Sequence, residues 1–216
     1  MLIMSVRAAW NDYFPSTSTY NLTSQTYNSR QNPSNTAVYV SNCLFVSITT
    51  SDHGSALSCT STQYLLVEST SFFSCKTSAN RGAIYFSNTN NGQCVLYGVC
   101  GNDCCSTYTS DYPHGQFAYM YASDGASYKN YINYSSIAHC VTTYSYSRCT
   151  VFIGYGKIYF PSVNESMNKC QLFSGVYCRP FVDSSSVTCS ITYSTFVDNN
   201  ALGFNCIYFD RANVNR

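Results

Sequence analysis

Phe72-Phe-Ser-Cys75 and, closing the same stretch, Gly82-Ala-Ile-Tyr85 are the two phrases whose reading decides the fold. The first is a large apolar residue, two spacers and a cysteine. It returns as Tyr97-x-x-Cys100, as Ile137-x-x-Cys140 and, with asparagine in the last place, as Phe196-x-x-Asn199. The second phrase returns as Gly54-Ser-Ala-Leu57, Gly115-Gln-Phe-Ala118 and Gly203-Phe-Asn-Cys-Ile207. Recurrence of this kind marks stacked coils, each of which buries its apolar side only against its neighbours. Taking Phe45, Phe72, Tyr97, Ile137, Phe173 and Phe196 as equivalent positions gives separations of 27, 25, 40, 36 and 23 residues. The short separations suit one turn of a parallel β-helix. The two long ones predict loop insertions over Gly101 to Gly115 and roughly Thr142 to Gly156, since one corner of a solenoid tolerates added chain. The expectation is an all-β, right-handed parallel β-helix of about six irregular turns with little or no helix.

Composition agrees. Only 10% of the 216 residues are charged, and 21 are tyrosine. Tyr, Thr and Ser suit pleated surfaces, whereas a helical surface needs Lys and Glu. Short β-rich runs such as Ala37-Val-Tyr-Val40, Tyr64-Leu-Leu-Val67 and Ala83-Ile-Tyr-Phe86 alternate with polar turns, and no long stretch carries a helical period. Residues 1–36 are Ser/Thr/Asn-rich and read as a lead-in segment or an irregular first coil; residues 37–216 read as the β-helix. Eleven basic and ten acidic residues leave a formal charge of +1 without a Lys/Arg run, so nucleic acid is not an expected partner. No run approaches a membrane span. Met1-Leu-Ile-Met-Ser-Val-Arg7 lacks the basic start of a signal peptide. The strand-like Ile207-Tyr-Phe209 near the end gives the expectation of a fragment of a longer array, open to end-to-end association.

In each coil the aromatic or apolar residue of the first phrase should stack inward, directly above its counterpart about 4.8 Å away. Gly82 and its equivalents should serve a tight bend. Cys75, Cys100 and Cys140, like Asn199, are small enough to turn inward at a corner, where Asn satisfies backbone bent out of strand pairing. Ala83 and Ile84 continue the inward packing.

Gly-Ala-Ile paired with Phe-x-x-Asn resembles the repeat signature of polymorphic outer-membrane-type proteins, right-handed β-helices of pectin-lyase-like fold. Arg81-Gly82-Ala83-Ile84 matches the first element and Phe196-Val-Asp-Asn199 the second, with Phe72-Phe-Ser-Cys75 as a cysteine variant. The Cys-, Tyr- and Asn-rich style is similar to β-helix surface families of trichomonad protists. The resemblance covers roughly residues 37–209 and implies surface exposure, with adhesion or antigenic variation rather than catalysis.

The thirteen cysteines admit a disulfide framework, buried thiols or metal ligands. The densest group is Cys94, Cys100, Cys104 and Cys105, near His114. Its spacing is not that of paired zinc knuckles, and a disulfide pinning the first insertion is the competing reading to free thiols. Asp52-His53, Asp111 with His114, and His139-Cys140 lack the third member that a nucleophilic site needs. No catalytic residue, metal or cofactor is therefore expected. Asp103 and Asp124 are the carboxylates considered for a polysaccharide-cleaving groove, the enzymatic alternative to a display scaffold; a non-functional gene fragment is the further alternative. Sequons at Asn21, Asn133 and Asn164 point toward an extracellular or cell-surface location. Expected partners are surface proteins or glycans, which the abundant Tyr could contact.

Overall fold

A computed structural model describes residues 9–108, 114–140, 147–173, 175–181, 187–203 and 206–210. The chain winds into an all-β parallel solenoid in which every paired strand lies beside its counterpart one turn away. The first sheet stacks Tyr20–Thr23, Ala37–Ser41, Tyr64–Glu68, Gln93–Tyr97, Lys129–Asn133, Lys157–Pro161 and Cys189–Thr192. The second stacks Thr26–Tyr27, Leu44–Val46, Ser71–Phe73, Cys100–Asn102, Ser136–Ala138, Asn164–Ser166 and Thr195–Val197. The third stacks Leu57–Cys59, Ile84–Ser87, Ala118–Tyr121, Val151–Gly154, Val176–Arg179 and Ile207–Phe209. Its six strands are five full circuits apart from first to last, close to the expected six turns. The one α-helix among the described residues is Trp10–Tyr13.

Two bends per turn make this geometry. The residue after each first-sheet strand has a positive φ near 50–60°: Ser24, Asn42, Ser69, Gly98, Tyr134, Ser162 and Tyr193. So does the residue after each second-sheet strand from Leu44–Val46 onward: Ser47, Ser74, Asp103, His139, Met167 and Asp198. Only one of these thirteen is glycine, although a left-handed L-residue costs about 1–2 kcal/mol. Stacking offsets the cost, because the corner N–H reaches the next turn: Asn42 donates to the Glu68 carbonyl at 3.1 Å, Ser69 to Tyr97 at 2.9 Å and Ser74 to Asn102 at 3.0 Å.

The register explains the four-residue phrase. Phe72 points inward from its strand, Phe73 points out, Ser74 makes the left-handed bend, and Cys75 turns inward again past it. Following the pairing, the column above and below Phe72 is Phe45, Gly101, Ile137, Glu165 and Phe196. Tyr97 and Phe173 do not belong to it. Tyr97 lies in the first sheet opposite Glu68 and Asn133, and Phe173 precedes the third sheet. Gly101 leaves a gap that Phe117 fills: a Cβ on Gly101 would meet the Phe117 ring at 2.4 Å. Phe45 and Phe72 stack at 4.8 Å with their rings 4° from parallel.

The insertions also move. Gly101 and Cys105 are strand residues, so the extra chain of the first insertion lies between Cys105–Ser106 and Ala118–Tyr121; residues 109–113 of it fall outside the described residues. Of the second, 142–146 fall outside the described residues, while Val151–Gly154 is a regular third-sheet strand.

Past the second bend the inward column is Ile48, Cys75, Cys104, Cys140, Asn168 and Asn199, placing Cys104 rather than Cys100 in the corner. Cys100 is an outward, exposed strand residue. Asn168 Nδ2 donates to the Ile137 carbonyl at 3.2 Å while its Oδ1 accepts from the Cys140 N–H at 2.8 Å. Asn199 repeats this with the Glu165 carbonyl at 2.8 Å and the Asn168 N–H at 3.0 Å. The thiols follow the same pattern more weakly. Cys75 Sγ lies 3.5 Å from the Phe45 carbonyl, and Cys104 Sγ accepts from the Cys75 N–H at 3.4 Å. Asn168→Ala should therefore lower unfolding free energy by about 2–4 kcal/mol, two buried backbone groups being orphaned. Asn168→Cys should cost roughly half as much, by urea denaturation.

Candidate functional site: the outer face of the third sheet

Strand alternation gives each sheet an outer column as regular as the inner one. On the first sheet that column is apolar at Leu66 and Val95, between Tyr39 and Tyr131, and Trp10 and Phe14 pack over it. Trp10 Nε1 donates to the Ser16 carbonyl, and Asn133 Nδ2 donates to Tyr13 Oη at 3.3 Å, fastening the short helix across several turns. The lead-in segment is thus a strap over the first sheet, and its Tyr20–Thr23 and Thr26–Tyr27 open the stacks.

The third sheet presents a different column outward: Tyr85, Tyr119, Phe152, Tyr177 and Tyr208, one per turn. Centroid separations along it are 5.6, 4.7, 5.2 and 5.1 Å, and the Tyr119 and Phe152 rings are 11° from parallel. Tyr121 stacks beside Phe152 at 6.2 Å. The aromatics are inevitable neighbours because the backbone ladder sets the turn spacing; their inward partners Ile84, Ala118, Val151 and Val176 are fully buried.

Basic side chains border this column. Arg81 and Arg148 lie three residues ahead of Ile84 and Val151, and Arg179 ends its strand. The Arg81 guanidinium sits 4.4 Å from the Tyr119 centroid and 5.3 Å from Tyr85; Arg179 sits 5.4 Å from Tyr155. Arg148 Nη1 lies 2.7 Å from His114 Nε2. A guanidinium only donates, so Nε2 accepts and the imidazole proton is on Nδ1. Burial, then Arg148 and Arg81, pushes the His114 pKa down to about 4, keeping the ring neutral at physiological pH. Its ring edges onto Phe152 and Tyr177 at 5.2 and 5.7 Å. The three arginines, His114, Tyr119, Phe152 and Tyr177 line a cleft of about 380 Å³, in which Asp210 is the one carboxylate among the described residues and accepts from Tyr177 Oη at 2.5 Å. Geometry of this kind suits stacking and charge pairing. Among the described residues it holds no base, nucleophile and orienting group in sequence.

The other sequence candidates scatter. Asp52 lies 3.5 Å from Arg30, while the His53 ring lies tilted against Tyr85 at 5.3 Å. His139 is an exposed bend residue. Asp103 is tied to Lys76 at 2.9 Å and Ser74 at 2.7 Å, at the bend after the second sheet; Asp124 sits in the connection from third sheet to first. Those two carboxylates occupy different corners and do not converge. Asp111 falls outside the described residues. All thirteen cysteines are free thiols, so no disulfide pins the first insertion. Cys94 points inward from the first sheet and Cys105 is half-buried, and no group of three potential ligands for a metal occurs among the described residues. Of the sequons, Asn21 and Asn164 are exposed, but Asn133 is buried against Tyr13. Sequence reasoning missed the arginine-flanked column because residues 34 or 25 apart become neighbours only once the register is known.

No family model, curated protein or solved structure matches the chain. Among the described residues no helix is long and apolar enough to cross a membrane.

Glu165 is the other unusual group. It occupies the inward column between Ile137 and Phe196, fully buried, with neither carboxylate oxygen hydrogen-bonded. Desolvation holds its pKa well above the ordinary 4.5. The folded chain thus retains a proton that the unfolded chain releases. The contribution to stability is full below about pH 4.5 and declines, by up to ~1.4 kcal/mol per pH unit, as pH rises toward the folded-state pKa. Glu165→Leu should remove that decline and raise the melting temperature at pH 7, as calorimetry across pH 4 to 8 would show.

Proposed function

We propose that this chain is a non-catalytic β-solenoid that displays a contact surface, and that the surface is the outer face of the third sheet. The observation carrying this is the contrast between two outer columns. The apolar one on the first sheet is covered by the chain's own Trp10 and Phe14, whereas the aromatic one on the third sheet borders a cleft. Rigid tyrosines give large contact area at little entropic cost, and with the ring faces of the column stacked on one another it is their edges and hydroxyls that a partner meets, so glycans or glycosylated surface proteins are the partners this reading assigns. Adhesion or antigenic display at a cell surface is the corresponding role.

The enzymatic reading requires carboxylates or bases converging on a groove. Asp210, the carboxylate in the cleft, is engaged by Tyr177, and Asp103 and Asp124 are apart. Incubation with a broad set of neutral and acidic polysaccharides should retard the protein in affinity electrophoresis without releasing new reducing ends. Release of reducing ends would instead support a lyase or glycosidase. Tyr119→Ala should weaken retention by about 2- to 10-fold and, because it unstacks Phe152, lower the melting temperature, so retention is compared well below the transition.

Surface display also implies passage through a secretory route, and the exposed sequons support that reading. Produced in a glycosylating secretory host, the protein should carry glycan at Asn21 and Asn164 and none at Asn133, read by peptide mass spectrometry. Modification at Asn133 would mean that the chain is glycosylated before the strap closes.

A further inference from the structure

Among the described residues two pairs of thiols share hydrogen bonds, Cys75 with Cys104 and Cys178 with Cys189. Their geometries differ. Cys75 and Cys104 turn inward at the same corner of successive turns, each one residue ahead of the paired Lys76 and Cys105. Side chains in register on adjacent parallel strands run parallel, about 4.8 Å apart. A disulfide needs Cβ atoms roughly 3.5–4.5 Å apart and turned toward each other. Cys178 and Cys189 come from different sheets. Cys178 is in register with Ile153 and Met120 on the third sheet, and Cys189 with Ile158 and Asn130 on the first. These two inward columns meet where the chain passes from third sheet to first. Two turns earlier, Asn130 Nδ2 donates to the Met120 carbonyl at 3.3 Å across this corner. Other turns carry Cys59 with Leu65, Phe86 with Cys94 and Ile153 with Ile158 at the same two places, so this is the described turn with a thiol on both sides. We propose that Cys178 and Cys189 form a redox pair that closes to a disulfide, clasping the third-sheet strand Val176–Arg179 to the first-sheet strand Cys189–Thr192 that follows it.

The clasp holds whichever face meets a partner. Cys189 is its entry thiol, because it is partly exposed while Cys178 is fully buried. The bond from Cys178 also lowers the Cys189 pKa from its ordinary value, against the opposing effect of burial. That bond, and then burial, hold Cys178 well above its own. A lowered pKa gives the thiolate that attacks disulfides. The oxidant is a small-molecule disulfide such as oxidised glutathione. The Cys189 thiolate attacks one of its sulfurs, the S–S bond breaks, and one glutathione leaves as a thiolate that takes up a proton. Cys178 then gives its proton to solvent and attacks Cys189 Sγ, and the second glutathione leaves and is protonated in turn. The two protein thiols lose two electrons, which the oxidant gains as two thiols.

The test equilibrates the whole chain, native and in urea, with mixtures of reduced and oxidised glutathione, alkylates the remaining thiols and maps the peptides by mass spectrometry. Urea separates folded geometry from mere closeness in sequence, since the two cysteines are eleven residues apart. The native chain should form the Cys178–Cys189 cross-link with an equilibrium constant at least about tenfold that of the chain in urea, while Cys75 and Cys104 stay reduced. Cys178→Ser should strand Cys189 as a mixed disulfide with glutathione, and Cys189→Ser should leave Cys178 reduced. Melting temperatures check that each variant is folded. Oxidation should also slow amide hydrogen exchange in Val176–Arg179 and Cys189–Thr192. A constant no larger in the native chain than in urea overturns the proposal, as does cross-linking of Cys75 to Cys104 in preference. Equal modification of Cys178 and Cys189 in the two serine variants, or exchange unchanged by oxidation, overturns it as well.

Discussion

The fold depends on satisfying backbone that turns inward at its corners. A parallel strand ladder satisfies every N–H and C=O as long as the chain is extended, but a coil must bend, and at each bend polar groups face an apolar interior. This solenoid bends through single left-handed residues, so that strand pairing resumes within two residues. It then meets the inward groups with short side chains from the neighbouring turn. At the bend after the second sheet these are Cys and Asn. At the bend after the first sheet they include hydroxyls: Val99 N–H donates to Ser135 Oγ at 3.1 Å, and Val163 N–H to Ser194 Oγ at 3.1 Å. Ile48, Val99 and Val163 stand in the same columns without making such bonds, so the polar short side chains alternate there with apolar ones.

With the corners fixed, the interior tolerates considerable irregularity. Phe117 reaches across from the approach to the third sheet to occupy the space above Gly101. Asn130 lies inside the first sheet, where its amide donates to the Gly154 carbonyl at 2.9 Å and the Tyr155 carbonyl at 3.2 Å. Even a carboxyl group, that of Glu165, is accommodated in its neutral form. Each exception is local, because a residue in a solenoid answers only to the turns on either side.

The architecture was legible in the sequence because Phe72, Ile137 and Phe196 each stand three residues ahead of a Cys or Asn that must turn inward. The exact register was not. In two turns the inward strand position carries Gly101 or Glu165, neither of which reads as apolar, and Tyr97 and Phe173 lay near enough to be mistaken for it. The residue three places on, Cys104 or Asn168, was the better guide, since bend chemistry is stricter than core volume. The buried sequon at Asn133 was equally invisible, because its burial depends on Tyr13, 120 residues away. Nothing in the linear order of Arg81, His114, Arg148 and Arg179 announces that they share a cleft.

Strand pairing, and not side-chain preference, sets the interval between Tyr85, Tyr119, Phe152, Tyr177 and Tyr208. The outer face is accordingly a ruler whose divisions are cut by the backbone while its marks are written by side chains. Rewriting one mark leaves the interval and every other mark where they were. A lineage could therefore change what this face meets one division at a time, without renegotiating the interior that holds it.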